Sequence, residues 1–276
     1  VRIVEIKTAR GLARSGLPEY DYALNPYLGC LHGCRYCYAR DFTKGEPGDL
    51  WGEVVYVKVN LPDVLAREVR TARPGIVGMS TITDPYQPVE ARYRLTRRSL
   101  EILLPAGFRA SIQTKSTYVL KDMDLLFVHR DRVDVGLTIT TFRGDVARLL
   151  EPGAPPPRAR AYALHVLSEL GVKTWIFLGP LIPGVNDGEG DYAPILEIAK
   201  KTGSEVILDR YRPRPGADSM LAAVGITARP DRSWWEAKSR EIEARCADLG
   251  VVCRTAEEEW RAAREARRGR GLDEFL

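Results

Sequence analysis

Between residues 54 and 208 the chain runs six times through a short β-branched segment, the first five each followed by a loop and by apolar residues at helical spacing. Strands are predicted at 54–59, 76–82, 109–113, 133–139, 174–178 and 205–208, and helices at 61–71, 93–104, 123–130, 157–170 and 192–201. Asn60 and Pro62 suit the start of the first helix, Pro105 and Gly107 the end of the second, and Gly171 and Gly203 close later ones. Strand–helix–strand units with right-handed crossovers force parallel pairing. The strands read as nearly continuous apolar runs, as expected when both faces are covered. An open doubly wound sheet and an incomplete barrel satisfy this rhythm equally well. In both, ligands bind outside the C-terminal ends of the strands, which selects the polar residues there as functional candidates.

The chain has 276 residues, 45% of them hydrophobic and 28% charged, the balance of a water-soluble globular protein with room for one large core. No apolar run approaches the roughly 18 residues needed to span a bilayer, and the N-terminus has no signal-peptide core, so a cytoplasmic, non-membrane protein is expected, with a monomer as the simplest state. Residues 1–21 read as an irregular, extended lead-in, 22–211 as the α/β core, and 212–276 as an extension with two helices. Ser233, with Glu236 three residues on, is the predicted cap of the first of these, and Thr255 that of the second. The extension ends in a basic tail, Arg264, Arg267, Arg268 and Arg270. The net charge of +4 is compatible with a nucleic-acid substrate without demanding one.

Chemistry concentrates in the loop Cys30-Leu31-His32-Gly33-Cys34-Arg35-Tyr36-Cys37-Tyr38, which holds three of the five cysteines. Three thiolates at this spacing can hold three irons of a cubane, leaving the fourth iron without a protein ligand, where four thiolates are usual. An open iron is a place for a small molecule. Structural zinc wants four tetrahedral ligands; His32 is at hand, but no second Cys pair follows at a zinc spacing. Cys246 and Cys253 make a poor auxiliary site and are expected on the inner face of a helix and in a short apolar strand. His32 can donate a hydrogen bond to a cluster sulfur; His129 and His165 fall in helical segments as surface or packing residues.

Cys30, Cys34 and Cys37, with Tyr36 beside the last of them, resemble the signature of the radical S-adenosylmethionine (SAM) enzymes. The wider stretch from Asn25-Pro26-Tyr27 through Tyr38-Ala39 is similar to the branch that includes spore photoproduct lyase. The resemblance implies a partial (β/α)6 TIM-like barrel and a [4Fe–4S] cluster at its C-terminal mouth. It implies reductive cleavage of SAM to methionine and a 5′-deoxyadenosyl radical that abstracts a hydrogen atom. It also implies an external one-electron reductant such as ferredoxin or flavodoxin. Tyr36 is expected against the adenine.

The strand ends supply the remaining candidates. Ser80, Thr81, Thr83 and Asp84, in the segment Ser80–Pro88, are expected to line the pocket beside SAM, as the family's similar segment does. Lys115 offers a cation for the SAM carboxylate, with Ser116 as helper. The hydroxyls of Thr138 and Thr140 suit the ribose or the substrate. Glu151 and Arg158 either pair with one another or reach SAM, and the loop of Pro183 and Asn186 resembles a family loop near adenine or ribose. The segment Asp209–Arg212 is expected to face substrate.

Spore photoproduct lyase relies on a further cysteine as hydrogen donor, and none lies between Val77 and Tyr86 where it would be expected. Tyr38, Tyr86 and Tyr211 are the candidate radical partners in its place. The leading expectation is therefore a radical SAM enzyme acting on another substrate. A lyase-like nucleic-acid enzyme, with Arg97 and Arg98 and the tail on phosphates, is the first alternative. A non-catalytic iron–sulfur or zinc binding module is the second.

Overall fold

A computed structural model describes residues 1–273, with side chains described through Arg267. Of the basic tail, Arg268 and Arg270 therefore lie outside the described side chains. The strands are β1 (Arg2–Ile6), β2 (Ala13–Arg14), β3 (Tyr22–Leu24), β4 (Tyr27–Leu28), β5 (Val54–Lys58), β6 (Ile76–Met79), β7 (Arg109–Thr114), β8 (Val133–Thr138), β9 (Lys173–Leu181), β10 (Glu205–Arg210) and β11 (Cys253–Thr255). The main sheet has eight strands in the order β11-β10-β9-β8-β7-β6-β3-β2, parallel throughout except for β2 at its edge. It is a partial barrel, open between its two edges. Among the described residues no helix is long and apolar enough to cross a membrane.

Two expectations change. The segment at 54–59 is a strand, but it stands outside the barrel in a three-stranded sheet ordered β1-β5-β4. Local pattern shows that a segment is extended; it does not name the partner. The short β3 takes the barrel position instead, parallel to β6, and β11 adds a strand beyond β10. The lead-in is thus partly ordered: Asn60, rather than capping its helix by side chain, bonds Thr8 through both backbone groups at 2.8 and 2.9 Å.

The strands are not apolar on both faces. Their outward residues, such as Val77, Ile112, Val135, Leu137, Ile176 and Leu208, are fully buried in one large apolar cluster. That cluster includes Leu100 and Leu103 of helix Leu95–Leu103, Leu164 and Leu167 of helix Pro157–Glu169, and Ile195 and Ala199 of helix Glu189–Thr202. The alternate residues face the barrel interior and are largely polar: Ser111, Gln113 and Lys115 on and after β7, Asp134 and Thr138 on β8, Asp209 on β10. Aliphatic layers fill the interior of an ordinary closed barrel. Here the interior is a cavity wall.

Two segments cover the open side. Leu17, Glu19 and Tyr20 of the lead-in meet Ala256, Glu259 and Trp260 of the final helix, Ala256–Asp273, along one cavity. Trp260 Nε1 donates to Glu19 Oε1 at 3.3 Å, and Arg267 lies 3.6 Å from Asp21 and donates to the Tyr20 carbonyl. The helix is capped reciprocally, with Glu258 N donating to Thr255 Oγ1 and Thr255 N to Glu258 Oε2. The preceding helix, Arg232–Leu249, is capped by Asp231 and not by Ser233: Asp231 Oδ1 accepts from Trp234 N at 2.7 Å, two residues earlier than the capping-box pattern placed it. Cys246 on that helix and Cys253 on β11 form a disulfide, which replaces the expectation of two separate thiols and removes them as auxiliary ligands.

The largest fully buried side chain is Arg160. It lies 2.5 Å from Glu151 Oε2 and donates to the carbonyls of Thr138 at 3.0 Å and Pro155 at 2.7 Å, joining a strand end, a loop and a helix. Removing one partner of a buried pair leaves an uncompensated charge. Arg160→Met should cost about 3–5 kcal/mol of unfolding free energy, read as a lower midpoint in urea denaturation.

Candidate functional site

The cysteine loop is held by backbone contacts that admit little change. Gln87 Nε2 and Thr83 Oγ1 both donate to the Gly29 carbonyl, at 3.1 and 2.6 Å, and Gln87 Oε1 accepts from Leu31 N at 2.9 Å. Arg35 N donates to Leu150 O at 2.8 Å and Gly153 N to His32 O at 3.0 Å. Gly33 adopts a φ of +58° against Gly52 at +90°, the two backbones so close that a Cβ on either would meet the other's Cα at 3.1–3.3 Å. Cys30 and Cys34 are buried, Cys37 is partly so, and all three are unpaired and line a cavity of about 140 Å³. Burial pushes all three thiols up, Cys34 to about 12.

Among the described residues no group of three or more His, Cys, Asp or Glu is arranged to hold a single metal ion. A cubane asks something different, one thiolate on each of three irons, and the donor set fits it. The cavity wall also contains a hydroxyl awaiting a partner. Ser80 is a non-glycine residue with φ of +66°, and its Oγ is buried without any hydrogen bond. An unmet buried donor costs about 1–3 kcal/mol, so a ligand in this cavity has a ready contact.

Asp84 is the hub of the wall. Its carboxylate accepts from Thr114 Oγ1 at 2.6 Å, Lys115 N at 2.8 Å and Tyr86 N at 2.9 Å, and lies 3.3 Å from His32 Nδ1. Burial alone would raise it, but His32 and these donors hold its carboxyl down to about 2. The side chain of Lys115 reaches the boundary of both cavities, its Nζ 5.5 Å from the Tyr36 ring centroid. Burial works against its charge, while Cys34, Glu151 and Cys37 outweigh that and raise it. Nζ makes no hydrogen bond to the described residues, which leaves an ammonium free for an anionic ligand.

A larger cavity of about 520 Å³ fills the barrel. It shares Cys37, Tyr38, Gln113, Lys115 and Thr138 with the smaller one, so the two adjoin. Of the sequence candidates, Ser80, Thr81, Thr83, Asp84, Lys115, Thr138, Tyr36, Tyr38 and Tyr211 line one or both. Tyr38 donates to Thr81 O, and Tyr211 to Asp218 Oδ1 at 2.7 Å.

Seven candidates line neither. Tyr86 donates to Asp122 at 3.0 Å and packs in the main core. Ser116 caps a short 3-10 helix through Tyr118 N. Asn186 joins loop to strand ends, accepting from Ile182 N and donating to the carbonyls of Thr140 and Pro180, while Pro183 only shapes that turn. Thr140 donates to Glu151 Oε1 at 3.2 Å, and Tyr36 also donates to it. Glu151 is thus engaged by Arg160, Tyr36 and Thr140, and not by Arg158, which is exposed beside the Phe142 ring. Two residues along a helix turn a side chain to nearly the opposite face, and Arg160 has the inward one. Arg97, considered for phosphate, is taken by Asp122, Asp124 and Glu101.

The sequence reading missed Glu19, Tyr20, Asp134, Trp175, Trp260 and Trp51. The signal for Asp134 and Trp175 was period-2 polarity inside the strands. Trp175 lies flat where Gly136 has no side chain, since a Cβ there would meet its ring at 2.3 Å; Gly78 makes room for Tyr20 in the same way at 2.4 Å. Asp134 accepts from Ser111 Oγ at 2.6 Å and Trp175 Nε1 at 2.8 Å, and burial raises its carboxyl.

Comparison with known proteins places this geometry. The family model described as Radical SAM superfamily matches residues 24–193. An uncharacterised protein of Methanocaldococcus jannaschii is 38% identical over 189 residues, covering 68% of this chain and 71% of that one. A protein of Pseudomonas phage M6 named radical SAM Nalpha-GlyT isomerase is 26% identical over 163 residues, covering 58% of this chain and 33% of its own length. Among solved structures, a spore photoproduct lyase variant with bound AdoMet and dinucleoside spore photoproduct superposes with a TM-score of 0.68, at 16% identity over 91% of this chain and 81% of that one, a likeness of fold. That superfamily uses a [4Fe–4S] cluster and SAM. On the family match and the close relative together, the chain belongs to the radical SAM superfamily.

Proposed function

We propose that the protein cleaves SAM reductively in the smaller cavity and abstracts a hydrogen atom from an organic substrate held in the larger one. When bound, the cluster and SAM supply a one-electron cleavage of the C5′–S bond, the electron coming from an external reductant such as ferredoxin or flavodoxin, to give methionine and the 5′-deoxyadenosyl radical. The protein's own part is position. Cys30, Cys34 and Cys37 would hold the cluster, the free Lys115 ammonium would pair with the methionine carboxylate, and Ser80 would offer its unmet hydroxyl. Asp84 fixes the loop ends and does not itself reach ligand, its oxygens being occupied. The observation that carries the reading is the common wall of the two cavities, which leaves a radical formed in one facing the contents of the other.

Among the described residues no cysteine other than the cluster-loop Cys37 lines the larger cavity, so a thiol is not the hydrogen donor proposed here. Tyr38 and Tyr211 take that place; Tyr86, in the core, does not. A nucleic-acid substrate is the second reading. Arg212 and Arg214 line the cavity, with Arg214 exposed against the Phe42 ring, and the solved neighbour is shown with a dinucleoside lesion. A base would then have to leave its stack to enter.

Anaerobic reconstitution followed by reduction should give a paramagnetic cluster whose resonance changes on SAM addition, with 5′-deoxyadenosine released. A spectrum indifferent to SAM would return the protein to the binding-module class. Cys34→Ala should abolish both the cluster and the release. Lys115→Ala should keep the cluster but weaken SAM binding by about 10- to 100-fold, the worth of one charge-assisted hydrogen bond, measured by titrating the same resonance. Unchanged affinity would show that the carboxylate sits elsewhere.

A further inference from the structure

One donor in the wall of the cysteine cavity has neither a partner nor a role in the reading of SAM binding. Trp51 is nine-tenths buried, and its Nε1 is enclosed without a hydrogen-bond acceptor anywhere among the described residues. Tryptophan is a donor only, and when buried it usually finds a partner. The buried indole of Trp175, on a barrel strand, does so with Asp134. Trp51 packs in one apolar cluster with Cys30 and Ala39, Cys37 lying against it, and it lines the same cavity as the three thiols.

Its position is fixed by backbone, not by chance of rotamer. The segment before it is tightly folded: Leu50 N donates to Glu46 O, and both Glu53 N and Val54 N return to Leu50 O. On its far side, Gly52 lies against Gly33 of the cysteine loop, and Val54 O lies so close to Gly29 that a Cβ there would meet it at 2.4 Å. Gly33 of the cysteine loop and Gly29 just before it therefore receive Gly52 and Val54, the first and third residues after Trp51, and the indole is held against that loop.

We infer that Trp51 Nε1 donates a hydrogen bond to a sulfur of the cluster, either a bridging sulfide or the thiolate of Cys30 or Cys37, and so sets the reduction potential as a positioning residue outside the ligand set. This rests on the cluster assignment above. A donor to a cluster sulfur stabilises the more negatively charged, reduced state, so it raises the potential. The protein would then use the indole N–H to bring a buried, electron-rich cluster within reach of its reductant. The apolar ring meanwhile excludes water on the same side.

The test uses the reconstituted holoenzyme. Trp51→Phe keeps a ring in the space and removes the N–H; it should retain the wild-type iron and sulfide content while the midpoint, followed by resonance-monitored potentiometric titration, moves to more negative potential. A midpoint equal to wild type at full iron content overturns the inference. Should Trp51→Phe fail to hold its cluster, the wild-type chain answers alone. Labelled with tryptophan carrying ¹⁵N at the indole nitrogen and reduced, it should show a ¹⁵N hyperfine coupling in pulsed resonance, and its absence overturns the proposal. If no cluster forms in the wild-type protein at all, it is the cluster assignment itself that fails, which iron content reports separately.

Discussion

The carboxylate of Asp84 is the contact on which the site depends. It receives Thr114 and Lys115 from the end of one strand, Tyr86 from its own loop, and faces His32 of the cysteine loop. Three segments far apart in sequence are held at one point by one buried anion. Such a buried group is stable because three donors and the His32 ring meet its charge, and a half-satisfied version would be worse than an apolar one. The consequence is a division of labour. Residues that look reactive in the sequence, Asp84 and Glu151 above all, act as internal braces, and the groups left free to meet a ligand are fewer: the thiols, Ser80, Lys115 and the indole of Trp51.

Much of this could be read from the chain and some could not, for physical reasons. The cysteine spacing and the βα rhythm are local, and both carried through to the fold. Which strands pair is not local: residues 54–59 are as good a strand as any, yet they pair with β1 and β4 outside the barrel, with Val54 O close against Gly29. Arg160, two residues after Arg158 and of the same charge, takes the inward face of the helix and the pairing with Glu151, a choice of direction that composition does not distinguish. Asn186 and Ser116 stand at strand ends, but backbone groups take their polar atoms: Tyr118 N bonds Ser116, and Ile182 N with the carbonyls of Thr140 and Pro180 holds Asn186. Conversely, the polar interior was visible in principle as alternation along β7 and β8, and passed unread because the outward residues are apolar enough to dominate the pattern.

The barrel interior defines the walls of the larger cavity. Trp175 and Tyr20 lie flat over glycines, offering ring faces, and Asp134, bonded to Trp175, has its carboxyl raised by burial. A closed aliphatic barrel has no such space; an open one needs its gap covered, and here the covering is made by the first and last described segments of the chain.

That covering has a kinetic meaning. Glu19 and Trp260 are 241 residues apart, so the contact that completes the cavity is among the most distant in the sequence and waits on closure of a very long loop. During synthesis the cysteine loop leaves the ribosome long before the helix that shuts the barrel exists. The thiols therefore stand for a time beside an open-sided, partly polar trough, accessible to whatever delivers iron and sulfide. Once the final helix docks, that side is covered.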